Sequence, residues 1–77
     1  MIDFNRLKQV ISDILVVDVN TINDNSSPDN IQQWDSLTHI KLVMALEAEF
    51  NVKLTPEDMM DMLSVKLIRM ILEEKVK

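Results

Sequence analysis

Residues 34–50, Trp-Asp-Ser-Leu-Thr-His-Ile-Lys-Leu-Val-Met-Ala-Leu-Glu-Ala-Glu-Phe, decide the fold. A polar loop ends within this stretch, and apolar residues with a helical repeat follow it. Asp35 is a suitable N-cap, so we predict a helix over residues 36–50 that begins at Ser36. The Ser36 hydroxyl is therefore expected at a helix N-terminus, a position that favours phosphate groups.

This helix carries two apolar stripes when it is projected at about 100° per residue. The first suits the core of a bundle and contains Leu42, Val43, Leu46 and Phe50. The second lies between Glu47 and Lys41, exceeds what a minimal core needs, and contains Leu37, Ile40, Met44 and Ala48. In one interpretation the third helix covers this second stripe, in another the stripe is partly open as a contact for partners or apolar cargo, and both can hold at once. The sequence leaves both possibilities open.

The remaining segments predict three further helices. The first runs from about Asp3 to Leu15, with Asp3 as its N-cap. A short third helix starts at Thr55-Pro56 and ends near Leu63, and a fourth follows the N-cap Ser64 and ends near Lys75. Residues 16–35 are rich in residues that form turns. We expect them to form an ordered loop across the bundle, anchored by four apolar residues: Val17, Val19, Ile22 and Ile31. We therefore predict an all-α, small four-helix bundle in one domain, residues 1–77.

Composition excludes several classes of function. The chain has no cysteine, no glycine and one histidine, which leaves no disulfide framework, no EF-hand loop and no histidine-rich metal site. We expect no catalytic residues and no metal. The net charge of −5 argues against nucleic acid and favours partners that offer Lys and Arg. Without an apolar signal core or a membrane span, we expect a cytoplasmic monomer with no stable membrane insertion.

Three residue types in the chain have both a structural and a functional interpretation. His39 has no second histidine to act with, which favours a packed or half-exposed structural role. Trp34 should anchor the loop by hydrophobic contact. Five methionines follow residue 40: Met44, Met59, Met60, Met62 and Met70. They either give the domain a soft interior that could admit an apolar chain, or simply fill space between the helices.

The chain resembles the acyl carrier proteins over nearly its whole length. The resemblance rests on residues 34–37, 42–50 and 54–58, together with the length, acidity and order of helices. It implies that Ser36 bears a 4′-phosphopantetheine arm, attached by a phosphopantetheinyl transferase from coenzyme A with Mg²⁺. The thiol of such an arm carries acyl groups as thioesters in fatty acid, polyketide or specialised lipid biosynthesis.

The same resemblance implies docking of acyl-loading and acyl-processing enzymes with basic patches. The docking residues expected on this chain are Asp35, Leu37, Ile40, Met44 and Glu47. Thr38, Lys41 and Ala48 occupy positions that are commonly acidic in the family, so we do not expect general fatty acid synthesis to be the only role. A dedicated pathway is the other possibility, such as a polyketide, specialised lipid, surface-glycan, or aminoacyl or peptidyl carrier function. The alternative from another class is an acidic helical interaction module with no prosthetic group.

Overall fold

The computed structural model describes residues 2–76, and within them the chain is helical with no strand. The elements in order are α1 (Phe4–Leu15), a short 3-10 helix (Val19–Thr21), α2 (Ser36–Phe50), α3 (Pro56–Asp61) and α4 (Val65–Lys75). The predicted all-α fold with a short third helix and a long loop between α1 and α2 is confirmed.

Each of the four α-helices begins directly after the polar N-cap residue that the sequence predicts. Asp3, Asp35 and Ser64 accept backbone N–H groups of the first turn of α1, α2 and α4. Thr55 and Asp58 form a reciprocal capping box at the start of α3. Because a cap is satisfied by residues two or three positions away, these starts are fixed by local sequence.

One hydrophobic core joins the helices. α1 packs against α2, and α4 closes the core with Val65, Ile68 and Leu72. The first stripe of α2 takes part as predicted, since Leu42, Val43 and Leu46 are buried and Phe50 packs partly buried against them. This leaves the second stripe of α2 on the outside of the bundle.

The loop from residue 16 to residue 35 is ordered by both apolar and polar contacts. Ile22 is buried, and Val17 and Ile31 pack against the core, as predicted. Val19 is half-buried and lies in the 3-10 helix, which the sequence pattern did not predict. The carbonyls of Asp24 and Ser26 accept the N–H groups of residues 66 and 65 at 3.1 and 2.9 Å. The loop thereby supplies acceptors to the otherwise unpaired N-terminus of α4.

The third helix is shorter than predicted, because it ends at Asp61 rather than near Leu63. Met62 leaves the helical conformation, and its side chain is fully buried in the core. Burial of this side chain turns the chain inwards and leaves only three residues between α3 and α4. The end of α3 is thus set by a tertiary contact that no local signal reports.

The expectation of a methionine-rich interior is wrong. Among the methionines of residues 2–76, Met62 alone is buried, Met59 is half-buried, and Met44, Met60 and Met70 are exposed. Apart from Met62, the buried core consists of Leu, Ile and Val side chains with Trp34. Three of the five methionines in residues 2–76 therefore lie on the surface and not in the interior.

Candidate functional site

Ser36 is the first residue of α2 and is exposed. Asp35 caps the helix, and its carboxylate accepts the Thr38 N–H at 2.8 Å. This hydrogen bond is the main reason that the pKa of Asp35 lies below its ordinary value, so the carboxylate stays ionised. The N–H groups of Ser36 and Leu37 have no acceptor within the helix. An exposed hydroxyl therefore lies beside N–H donors and the positive end of a 15-residue helix.

Trp34 anchors the loop that leads to Ser36. Its side chain is 2% exposed, which confirms the predicted anchor of the loop. Its indole Nε1–H donates to His39 Nδ1 at 2.9 Å, and the two rings stack with centroids 6.1 Å apart. His39 Nε2 lies 2.9 Å from the Met59 carbonyl oxygen of α3. Because an indole N–H can only donate, His39 Nδ1 must accept, and Nε2 carries the proton that it donates to Met59.

His39 therefore joins three parts of the bundle through one imidazole ring. The ring belongs to α2, its Nδ1 holds the loop through Trp34, and its Nε2 holds α3 through Met59. The predicted structural role of His39 agrees with this geometry. The sequence did not predict that His39 links Trp34 to Met59. The one local signal for this bridge is a tryptophan five residues before the only histidine.

An apolar groove with a volume of about 520 Å³ opens beside Ser36. The start of α2 forms one side, and residues of α3 and the α3–α4 connection form the other. Its apolar lining consists of Pro28, Trp34, Ile40, Met59, Met60, Met62 and Leu63. The exposed serine thus lies at the edge of a surface on which an apolar chain can rest.

The second stripe of α2, which we call the α2 stripe (Leu37, Ile40, Met44 and Ala48), is open to solvent. Leu37, Ile40 and Met44 are 64%, 45% and 62% exposed, and Ala48 is also exposed. The alternative in which α3 covers this stripe is therefore wrong, because these side chains stay exposed although residues of α3 lie across the groove from Ile40. Contiguous exposed apolar side chains next to Ser36 have the character of a contact surface.

Two of the predicted docking carboxylates have contacts within the fold. Asp35 caps α2, and Glu47 Oε2 accepts the backbone N–H of Leu54 at 2.9 Å. Glu47 is half-buried and ties the end of α2 to the link that leads to α3. Docking by Asp35, Leu37, Ile40, Met44 and Glu47 stays a prediction, and the structure places all five along α2 from its N-cap onward.

Residues 2–76 contain neither a cluster of metal ligands nor a helix that could span a membrane. In that part of the chain, no group of three or more His, Cys, Asp or Glu side chains could hold a metal ion. None of the helices there is long and apolar enough to cross a membrane.

Residues 5–69 match the family model described as the phosphopantetheine attachment site. The chain is 38% identical over 53 residues to the acyl carrier protein of Buchnera aphidicola subsp. Schizaphis graminum. This alignment covers 69% of this chain and 67% of that protein. Its fold is similar to the solution NMR structure of holo acyl carrier protein from Geobacter metallireducens, with a TM-score of 0.87 and 21% identity. That alignment covers 99% of this chain and 87% of the other.

The chain belongs to the phosphopantetheine-attachment family, and the predicted resemblance to acyl carrier proteins is confirmed. Phosphopantetheine is accordingly its prosthetic group. The residues at the start of α2 fit a phosphate-linked group, because an exposed hydroxyl, unpaired N–H donors and an apolar groove meet there.

Proposed function

We propose that the Ser36 hydroxyl is the attachment point of phosphopantetheine and that the chain carries acyl groups on it. The observation that supports this choice is the accessibility of the serines within the matched region. The chain has five serines, and the other four are buried or half-buried. Their hydroxyls take part in loop and cap hydrogen bonds: Ser12 with Val17, Ser26 with Asn23, Ser27 with Asp29 and Ser64 with Leu67.

The start of α2 supports a phosphodiester at Ser36. The unpaired N–H groups and the helix dipole stabilise a negative group there, each such interaction contributing about 0.3–1 kcal/mol at an exposed site. When attached, the prosthetic group supplies a thiol on a flexible arm, to which acyl groups are bound as thioesters. Trp34 and His39 hold the preceding loop and α3 in place around the serine.

An apolar acyl cargo suits the groove better than a polar aminoacyl cargo. The groove beside Ser36 is lined mainly by apolar side chains. A hydrocarbon chain resting there would be removed from water, which contributes about 0.8 kcal/mol for each buried CH₂ group. Fatty acid, polyketide and specialised lipid pathways all supply such cargo, and an aminoacyl or peptidyl carrier function is the second candidate because the thioester chemistry is the same.

Membership of the family implies a phosphopantetheinyl transferase and acyl-processing enzymes as partners. We propose that these enzymes dock on the α2 stripe together with Asp35 and Glu47, because the stripe is exposed next to Ser36. We further propose that residues 1–77 act as one domain, in the cytoplasm, as a monomer without catalytic residues of its own. In this scheme the enzymes perform the reactions, and the bundle presents the bound group.

Intact-mass measurement tests the attachment site. The full chain, incubated with a phosphopantetheinyl transferase, coenzyme A and Mg²⁺, should gain the mass of one phosphopantetheine. Ser36→Ala should gain none, and Ser27→Ala, which changes a half-buried loop serine, should be modified like the wild type. An unmodified wild type, or an adduct retained in folded Ser36→Ala, would contradict the proposal.

A further inference from the structure

Lys41 lies beside the α2 stripe and, like Lys53 and Lys66, forms no ion pair in the described part of the chain, whereas four other cations contact a carboxylate or an aromatic ring. Arg6 pairs with Glu49 at 3.1 Å, Arg69 with Asp24 at 3.1 Å, and Lys75 with Asp58 at 2.9 Å. Lys8 lies over the Phe4 ring at 5.4 Å. Across residues 2–76, no carboxylate lies within ion-pair distance of the exposed Lys41 ammonium group.

The sequence of α2 explains why Lys41 has no partner on its own helix. Helical neighbours are three and four residues apart, and at these positions the chain has Leu37, Thr38, Met44 and Ala45. None of these side chains is acidic. Lys41 therefore cannot form the within-helix ion pair that Arg69 forms with Glu73 at 3.4 Å.

The acidic groups of α2 already have partners within the fold. Asp35 accepts the Thr38 N–H, Glu47 accepts the Leu54 N–H, and Glu49 pairs with Arg6. The pKa of Asp35 is lowered chiefly by the Thr38 hydrogen bond and, more weakly, by the charge of Lys41. At the side of the α2 stripe the chain thus presents an unpaired positive charge, although its net charge is −5.

We propose that the phosphopantetheinyl transferase that modifies this chain places an Asp or Glu carboxylate against Lys41, beside apolar residues that cover the α2 stripe. The proposal rests on the proposed attachment at Ser36. Lys41 is five residues beyond Ser36, about 7.5 Å along the helix axis, so an enzyme that reaches the serine and covers Leu37, Ile40 and Met44 also covers Lys41. Covering an ammonium group without a counter-charge is unfavourable, and a carboxylate in that place selects the correct partner.

Charge reversal tests this inference on the full chain. Initial rates of modification are measured by intact mass over a range of carrier concentrations, with the transferase of the same organism, coenzyme A and Mg²⁺. Lys41→Glu should raise KM about tenfold and leave kcat unchanged, and Lys41→Ala should have a smaller effect. The KM difference should shrink as salt is raised, because the charge pair is screened.

Lys53→Glu and Lys66→Glu are the matched controls. Both lysines are exposed and lie outside α2, and neither has a carboxylate within ion-pair distance in the described part of the chain. Their KM should stay within about twofold of the wild type. Circular dichroism checks that every variant is folded, and Lys41→Gln offers a second uncharged variant of similar length.

Two results would overturn the inference while leaving the proposed function intact. One is an unchanged or lower KM in folded Lys41→Glu, which would indicate a neutral or basic transferase surface at this position. The other is an equal rise in KM for the control variants, which would reflect overall charge rather than a specific contact. A wild type that is not modified at all would overturn both the attachment at Ser36 and the role of Lys41.

Discussion

Replacement of His39 by leucine tests how the bundle holds the loop that leads to Ser36. The change keeps an apolar side chain of similar reach and removes two ring nitrogens. Nδ1 is the acceptor of the Trp34 Nε1–H, and Nε2 is bonded to the Met59 carbonyl, both at 2.9 Å. The loop and α3 then lose their common polar contact.

The magnitude follows from burial. Trp34 is 2% exposed, so its Nε1–H would be left without an acceptor in a place that water reaches poorly. An unsatisfied buried donor costs about 1–3 kcal/mol, and loss of the second hydrogen bond adds about 1 kcal/mol. We therefore expect His39→Leu to lower the free energy of unfolding by about 2–4 kcal/mol. For a domain of 77 residues this corresponds to a fall in Tm of roughly 12–25 °C.

Urea and thermal unfolding, followed by circular dichroism and by the fluorescence of the single tryptophan, measure this loss. A double-mutant cycle isolates the hydrogen bond, and it is followed by circular dichroism alone because Trp34→Phe removes the single tryptophan. Trp34→Phe removes the donor, so His39→Leu should cost less in that background, with a coupling energy of about 1–2 kcal/mol. Unfolding midpoints of His39→Leu equal to those of the wild type, or strictly additive effects in the cycle, would refute the bridging role.

The remaining predictions concern the α2 stripe and the acid range of pH. Leu37→Glu should leave the free energy of unfolding within about 0.5 kcal/mol of the wild type, because Leu37 is 64% exposed, and yet slow modification of Ser36. Leu42→Ala, on the buried stripe, should cost about 2–5 kcal/mol, and equal costs in the two variants would show that Leu37 is a core residue. The pKa of Asp58 is lowered first by its Thr55 N–H bond and then by Lys75, so its folded state binds fewer protons than its unfolded state. Its contribution is complete above about pH 5 and is lost as pH falls below its unfolded pKa of about 3.9 and through its lower folded pKa. Asp58→Asn should flatten the loss of stability over that window in urea titrations, whereas Asp29→Asn, at an exposed loop position, should not.

The charge pattern of α2 bears on which pathway this carrier serves. The acidic side chains at its N-cap and along its length all have partners within the fold: Asp35 with Thr38, Glu47 with Leu54 and Glu49 with Arg6. Its exposed cation is Lys41. A partner selected only for an acidic surface would meet the wrong charge beside the stripe. Under the proposal for Lys41, an enzyme with a carboxylate at this position would bind the carrier better than an enzyme that recognises acidic surfaces alone.

The sequence by itself determined the helices, their order and the position of Ser36 at the start of α2. These features are local, since a cap is satisfied within three residues and an apolar face repeats within two turns of helix. Asp3, Asp35, Thr55 and Ser64 could therefore be identified as N-caps before any fold was known.

Only the tertiary structure decided which faces of those helices meet. It left the α2 stripe open, moved most methionines to the surface, ended α3 at Asp61 so that Met62 could be buried, and brought Trp34, His39 and Met59 together. It also made Ser36 the one exposed serine and left Lys41 without an acidic partner among residues 2–76. The physical reason is that burial and charge pairing depend on contacts between residues far apart in the chain, which no local pattern specifies.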